Sequence, residues 1–360
     1  MRDPLSLQMI GSKALGGAER WFERFAWALA ETGAPAQLAI RAGSELDGLD
    51  LGPLPLHRLP FQTVWDPWSR HAVNRLVALI KPDIVQTYMG RATRLARFGP
   101  GRGPVHIARL GGYYALHPYR HAHALIANTK GLCDWLVRNG IPADRVHHIY
   151  NFVDPARPVS AEYISTLRAE LGLPDDALVI ITAGRFVPVK GLVHLIDALT
   201  KLPAEIGGRP LWLALLGEGA LGTDLKRQAE SSGIGGRIVW AGWRRDPGPF
   251  FQMADLVVFP SLEEETLGNV ILEAWAWSKP LVTSLFRGAR EIVRHGEDAW
   301  CVPCADAEAM ARGIEAMLRD PAMAGEFARH GRDRVLAEFA RGPIMDRYLD
   351  LYRRLTGATA

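Results

Sequence analysis

Two carboxylates with seven residues between them, Glu265 and Glu273, and two cations five positions apart, Arg185 and Lys190, have types and spacing that suit chemistry. Carboxylates accept hydrogen bonds from ligand hydroxyls, and paired cations neutralise a phosphate or diphosphate. Glu265 stands in the polar loop Pro260-Ser261-Leu262-Glu263-Glu264-Glu265-Thr266-Leu267-Gly268. Before it lies Ala254–Phe259, a β-branched and aromatic run short enough for a buried parallel strand. After it comes an apolar run with Trp275 and Trp277 that predicts a helix. Carboxylates therefore gather where a strand ends and a helix begins, the edge at which open α/β sheets bind ligands. Glu273 is set among Val270, Ile271, Leu272 and Ala274, where an unpaired buried charge costs several kcal/mol. Ligand hydroxyls would satisfy it. Glu263 and Glu264 need no function, since a helix N-terminus favours nearby acids by about 0.3–1 kcal/mol.

The cations occupy Ala183-Gly184-Arg185-Phe186-Val187-Pro188-Val189-Lys190-Gly191, between an apolar strand (Leu178–Thr182) and a helix (Leu192–Leu199). On a loop at a helix start they suit a diphosphate leaving group. Gly16 and Gly17 hold a similar place, between a strand at Ser6–Ile10 and an amphipathic helix with Trp21, Phe22, Phe25, Ala26 and Leu29 on one face. Glycine there lets a ligand approach the backbone, and the helix start favours negative charge. Gly217-Glu218-Gly219 lacks the third glycine and downstream acid of a dinucleotide fingerprint.

Stepping from these residues to what must position them, 360 residues suit two domains. With 48% hydrophobic residues the chain can bury two cores. Strands and helices alternate along it: Ala36–Ile40, Ser69–Ile80, Asp83–Thr87, Val105–Arg109, Ala124–Asn128 and Lys130–Asn139, then Leu211–Leu216, Ile238–Trp243 and Pro280–Thr283. That alternation predicts an α/β class with parallel sheets covered on both faces. Pro155–Pro158 reads as a linker, and Pro343–Leu355 as an amphipathic terminal helix.

Cys133, Cys301 and Cys304 form no zinc-like set and suit a reducing compartment. No signal peptide and no apolar stretch of about 20 residues is present, so a cytoplasmic protein is expected. Residues 1–155 carry 18 Lys+Arg against 12 Asp+Glu, a net +6, whereas 156–360 carry 24 against 27, a net −3. A basic first half suits an anionic acceptor or membrane surface, and equally an ordinary solvated surface. No zinc finger, basic helix or aromatic-stacking motif favours nucleic acid.

Glu265 and Glu273, after Pro260-Ser261 and around Leu267-Gly268, resemble the E-x7-E signature of family 4 retaining glycosyltransferases. Gly184-Arg185 through Lys190-Gly191 is similar to that family's G-R-x-x-x-x-K-G element, and Gly288–Val293 to its G-x-x-E-I-V. Ile149–Asp154 is similar to its I-x-N-G-V-D stretch, with Phe152 where glycine is usual. The resemblance implies the GT-B architecture, two Rossmann-like domains with a cleft between them. Residues 1–157 would bind the acceptor, 158–340 the nucleotide-sugar donor, and 341–360 would form a helix crossing back to the first domain.

By the same resemblance Glu273 holds ribose hydroxyls, Glu265 holds donor-sugar hydroxyls, and the N–H groups of Leu267 and Gly268 meet sugar or diphosphate. Arg185 and Lys190, with Gly184 between strand and loop, stabilise the departing diphosphate. Gly16 and Gly17 face the reaction centre, and the loop at Trp243 passes near the base. It also implies retention of configuration, a UDP- or GDP-sugar as substrate, no required metal, and a glycan or lipid-linked acceptor at the inner face of a membrane. With both carboxylates binding hydroxyls, neither serves as the nucleophile of a double displacement, so front-face attack is expected. The family's histidine after the strand at 105–109 is missing here. Arg109 and Tyr113 stand as candidates for a role near the sugar, and His117, His121 and His123 align with it poorly. A sugar-nucleotide epimerase on the same architecture and a non-enzymatic sugar-binding protein are the alternatives.

Overall fold

The computed structural model describes residues 2–99 and 103–357. The chain divides into two compact units, one running to Asn151 and resuming at Arg341, the other Phe152–Ala340. The backbone enters and leaves the second unit side by side. Val153 N–H donates to Phe339 O at 3.1 Å and Val153 bridges Ala340, so Phe152 and Val153 stand with the second unit.

The first unit is built on strands β1 (Ser6–Ile10), β2 (Ala36–Arg41), β3 (Leu56–Leu59), β4 (Ile84–Tyr88), β5 (Val105–Leu110), β6 (Ala124–Ala127) and β7 (Val146–His148). They lie parallel in the order β3-β2-β1-β4-β5-β6-β7. The order reverses between β1 and β4, which makes that pair the switch point of a doubly wound sheet. Every residue of β1 and of β4 is buried, including Ser6, Gln8, Gln86 and Thr87. Buried amides need partners, and the terminal helix Arg341–Thr356 and Tyr88 of β4 supply them. Gln8 Nε2 donates to Tyr352 Oη at 3.2 Å, Tyr352 Oη donates to Gln86 Oε1 at 2.9 Å, and Tyr88 Oη donates to Gln8 Oε1 at 3.1 Å.

Arg109 belongs to the same docking. It is 5% exposed, donates to Tyr348 Oη at 3.4 Å and to Asn151 Oδ1, and lies 4.5 Å from the Trp21 ring centroid. The expectation that Arg109 serves a sugar is corrected: its guanidinium is committed to holding the terminal helix.

The second unit uses β8 (Leu178–Ala183), β9 (Glu205–Ile206), β10 (Arg209–Leu216), β11 (Ile238–Gly242), β12 (Leu256–Phe259), β13 (Leu281–Ser284) and β14 (Trp300–Val302). The order is β11-β10-β8-β12-β13-β14, all parallel, with β9 antiparallel on β10. Here the switch point is β8/β12. Ile180, Leu213, Leu215, Val258 and Val282 pack with Leu195, Ile196, Met310 and Ile314 from the helices on one face, as apolar runs in a covered parallel sheet must.

Candidate functional site

Both loops that carry the predicted cations and carboxylates leave the C-terminal ends of β8 and β12, the switch-point strands of the second unit. Two glycines let these loops meet. Gly191 has φ +61°, and a Cβ there would lie 2.1 Å from Pro260 O. A side chain at 191 would therefore be strained and would also clash with backbone. Beside it Leu262 N–H donates to Val189 O at 2.8 Å. Gly268, the N-cap of the helix Asn269–Ala276, has φ +75°, and a Cβ there would lie 2.7 Å from both Phe259 and Phe286. Those two rings meet edge to face at 5.5 Å and floor the loop.

The consequence is a contact across 75 positions of sequence. Lys190 Nζ donates to Glu265 Oε2 at 2.5 Å, with the two side chains 20% and 16% exposed. Ser261 Oγ donates to the same Glu265 oxygen at 3.3 Å, and Thr266 N–H to the other at 3.3 Å. The ammonium also lies 5.2 Å from the Phe259 ring centroid. Lys190 and Glu265 were read from separate motifs, and the fold makes them one unit. An ammonium has three donors, so the pair retains capacity for a ligand oxygen. Leu267 is 2% exposed, and the N–H groups of Leu267 and Gly268 donate to no acceptor among the described residues. Two unengaged N–H groups at a helix start make an anion or hydroxyl site.

The other expected residues stand at separate places in the two units. Arg185 is exposed on the Lys190 loop, next to Gly184. Trp243 follows β11, two strands away from β8, and is 47% exposed. Its N–H donates to Glu218 Oε1 at 3.4 Å, which joins the turns after β10 and β11. Glu273 is half-buried rather than buried, because Val270, Ile271, Leu272, Ala274, Trp275 and Ala276 take the inward directions of the helix and leave position 273 the outward one. In the first unit Gly16 is the N-cap of the helix Gly17–Glu31, without a side-chain cap. A Cβ at Gly16 would lie 3.0 Å from Glu19 Oε2, whereas at Gly17 it would meet nothing within 4 Å.

The helix-dipole explanation for Glu263 and Glu264 is corrected. The helix begins at Asn269 with no acid in its first turn, so both residues lie outside the reach of its dipole. Glu263 instead pairs with Arg290, with Arg287 at 3.6 Å, and the Arg290 hydrogen bond holds the Glu263 carboxyl below its usual range. Sequence reasoning also passed over Ser261, fully buried, whose carbonyl accepts from Ser284 Oγ of β13 and so fixes the loop. The Pro260-Ser261 dipeptide after a buried strand was its only signal.

No helix among the described residues is long and apolar enough to cross a membrane. The described residues contain no group of three or more His, Cys, Asp or Glu side chains placed to hold a metal ion.

Comparison with known proteins agrees with this geometry. The model described as glycosyl transferases group 1 matches residues 164–334, and that described as glycosyltransferase family 4 matches residues 15–157. The chain is 34% identical over 343 residues to the lipopolysaccharide core biosynthesis glycosyltransferase LpsE of Rhizobium meliloti, covering 93% of this chain and 95% of that one. It is 30% identical over 348 residues to LpsD of the same organism, covering 94% and 95%. Among solved structures, Anabaena HepE in complex with UDP-glucose superposes with a TM-score of 0.83 at 21% identity, covering 99% of this chain and 100% of that one. Two doubly wound units of this kind define the GT-B fold. The chain belongs to glycosyltransferase family 4 and is a glycosyltransferase.

Proposed function

We propose that the protein is a retaining, metal-independent glycosyltransferase that moves a hexose from a UDP- or GDP-sugar to a saccharide acceptor in lipopolysaccharide core synthesis. The observation that carries this is the Lys190–Glu265 pair beside the free N–H groups of Leu267 and Gly268, at the switch point of the second unit. HepE, similar in fold, is described with UDP-glucose, and LpsE and LpsD, similar in sequence, are named for lipopolysaccharide core biosynthesis.

In this reading Arg185 and Lys190 neutralise the diphosphate as the glycosidic bond breaks, supplying charge that a divalent cation supplies elsewhere. Glu265 orients Lys190 and accepts hydroxyl hydrogen bonds from the donor sugar. Glu273 accepts from the ribose, Trp243 lies by the base, and Gly16 and Gly17 border the reacting carbon. Glu265 is already held by Lys190, Ser261 and Thr266, so it is a poor candidate for a covalent nucleophile. Attack from the face of the departing diphosphate, which takes the acceptor proton, follows. The basic first half would hold the protein on an anionic membrane face, within reach of a lipid-linked acceptor.

The test is NMR of the full chain with UDP-, GDP- and ADP-sugars, without and then with a truncated core saccharide. Slow hydrolysis of one donor, then transfer giving the same anomer, is expected. An inverted product overturns retention. Epimerised donor without transfer would identify an epimerase, and binding without turnover a sugar-binding protein.

A further inference from the structure

The switch point of the first unit, between β1 and β4, holds a cavity of about 450 Å³ that the reading above does not use. Its volume falls in the range of small-molecule sites, roughly 300–1,000 Å³. Gly11 and Ser12 line it from the end of β1, and Met89, Gly90, Arg91 and Arg94 from the start of the helix Met89–Leu95 that follows β4. Two of the lining residues are arginines and none is acidic.

Arg94 is the unusual member. It is 9% exposed, and its guanidinium makes no hydrogen bond or ion pair with any described residue. Its one partner is the ring of Trp65, whose centroid lies 4.4 Å from Cζ. Arg91 spends one nitrogen on the carbonyls of Gly11 at 3.0 Å and Phe61 at 3.2 Å, which aims the rest of its fork. Burial, and then the charge of Arg41, push the Arg91 guanidinium below its usual range. The acid closest to Trp65 in sequence, Asp66, is committed to capping the helix Pro67–Ile80 through Trp68 N–H and Ser69 Oγ. With no acceptor among the described residues, the Arg94 guanidinium keeps its donors available to the cavity, and Arg91 beside it adds a second positive charge. An anion would complete such a site.

We propose that this cavity is a subsite for a phosphate monoester carried by the acceptor saccharide, gripped by Arg91 and Arg94 with the sugar ring against Trp65. The proposal deepens the glycosyltransferase reading and rests on it for the word acceptor. Guanidinium forks match phosphate oxygens bidentately, and the charge of a monoester, about −1.5 to −2, balances two fixed cations where a carboxylate would leave one unmatched. Trp65 is 75% exposed, so much of its surface stays open to a sugar ring.

The test is titration calorimetry of the full chain with UDP present at saturation, so that the phosphate site of the second unit is already filled. Glucose 6-phosphate, inorganic phosphate, glucuronate and glucose are the probes. Glucose 6-phosphate is expected to bind at least tenfold more tightly than glucose or glucuronate. Arg94→Met and Arg91→Gln should each lose that advantage, and Trp65→Ala should weaken glucose 6-phosphate severalfold while sparing inorganic phosphate. Wild-type affinity in both arginine variants overturns the proposal. Glucuronate equal to glucose 6-phosphate overturns the phosphate assignment. Inorganic phosphate as tight as glucose 6-phosphate, or displacement of the sugar phosphate by phosphatidylglycerol vesicles but not by phosphatidylcholine, overturns the saccharide in favour of a free ion or a lipid headgroup. Should Arg94→Met fail to fold, Arg91→Gln carries the test. Arginine-dependent binding of sugar phosphate by a chain that does not bind UDP would sink the donor reading and leave this site standing.

Discussion

The two units wind their sheets around equivalent strand pairs, β1/β4 and β8/β12, and the two switch points handle charge in opposite ways. In the second unit Lys190 is matched by Glu265 and backed by Ser261, with exposed Arg185 nearby. In the first unit Arg91 and Arg94 line a cavity without any acid. The same edge of the same sheet type thus yields a balanced centre in one case and a cationic one in the other. Sheet order decides where a ligand can sit, and a handful of loop side chains decide which ligand it is. A balanced pair suits a group whose charge changes during the reaction, because in the proposed reading Lys190 would meet new charge while Glu265 fixed its direction. A cationic pocket suits a group whose charge stays fixed.

The comparison breaks most visibly at Lys190. Lys190→Ala and Arg185→Ala are each expected to lower turnover by roughly 10²–10³, since one donor to developing charge is worth about 2.7–4 kcal/mol. Melting temperatures should move far less. Rates measured with saturating acceptor check this, and turnover within about threefold of wild type in both variants would remove the diphosphate role.

Next in size is the division between the two carboxylates. A hydrogen bond to a charged group is worth roughly 1.5–3 kcal/mol and serves only the group it touches. Glu273→Gln should weaken UDP and intact donor alike by about ten- to a hundredfold. Glu265→Gln should leave UDP affinity nearly unchanged and damage transfer, with part of the loss passing through a misdirected Lys190. Calorimetry of both variants with UDP decides it. Equal losses would mean that the carboxylates act together.

Acid should separate the units by a smaller amount. His106, His121, His123 and His147 all lie in the first unit, and burial pushes each below its ordinary value of 6.5. His106 is 1% exposed and within 5.3 Å of the His121 ring. Below pH 6.5 the unfolded chain binds protons that the folded unit refuses. Stability from these groups is therefore complete above 6.5 and is lost as the pH falls towards the lowered native values. For His106 alone the slope approaches about 1.4 kcal/mol per pH unit. Hydrogen exchange between pH 7 and 5 should show strands β4–β6 opening before β8 and β12. Loss of protection in the second unit first would contradict it.

The smallest expected effect is none. EDTA should leave transfer unchanged if, as proposed, Arg185 and Lys190 supply the cationic charge. Loss on chelation that Mg²⁺ or Mn²⁺ restores would show that they do not suffice.

Much of the second unit was legible in the sequence. Runs such as Leu178–Thr182 and Leu211–Leu216 announce buried strands, and Gly184 through Gly191 and Glu265 through Glu273 carry their spacing openly. The first unit was harder to read. Strand β3, Leu56-His57-Arg58-Leu59, has no β-branched residue and sits at the sheet edge. The helix Met89–Leu95 starts with no side-chain cap and with Met89 at φ +64°, so no local signal marks it, and Arg91 and Arg94 went unnoticed with it.

The sequence by itself determined most of the elements, the parallel character of the sheets and the residue types available at each strand end, because periodicity and local propensity act over a few positions. The tertiary structure alone decided which of those residues meet. It set Lys190 on Glu265 across 75 residues, turned Glu263 to Arg290, committed Arg109 to Tyr348 and Asn151, and left Arg94 with only an aromatic face. Such pairings depend on sheet register and on backbone angles at single glycines, Gly191 above all. A partner 75 or 239 residues away leaves no trace in the spacing around either member.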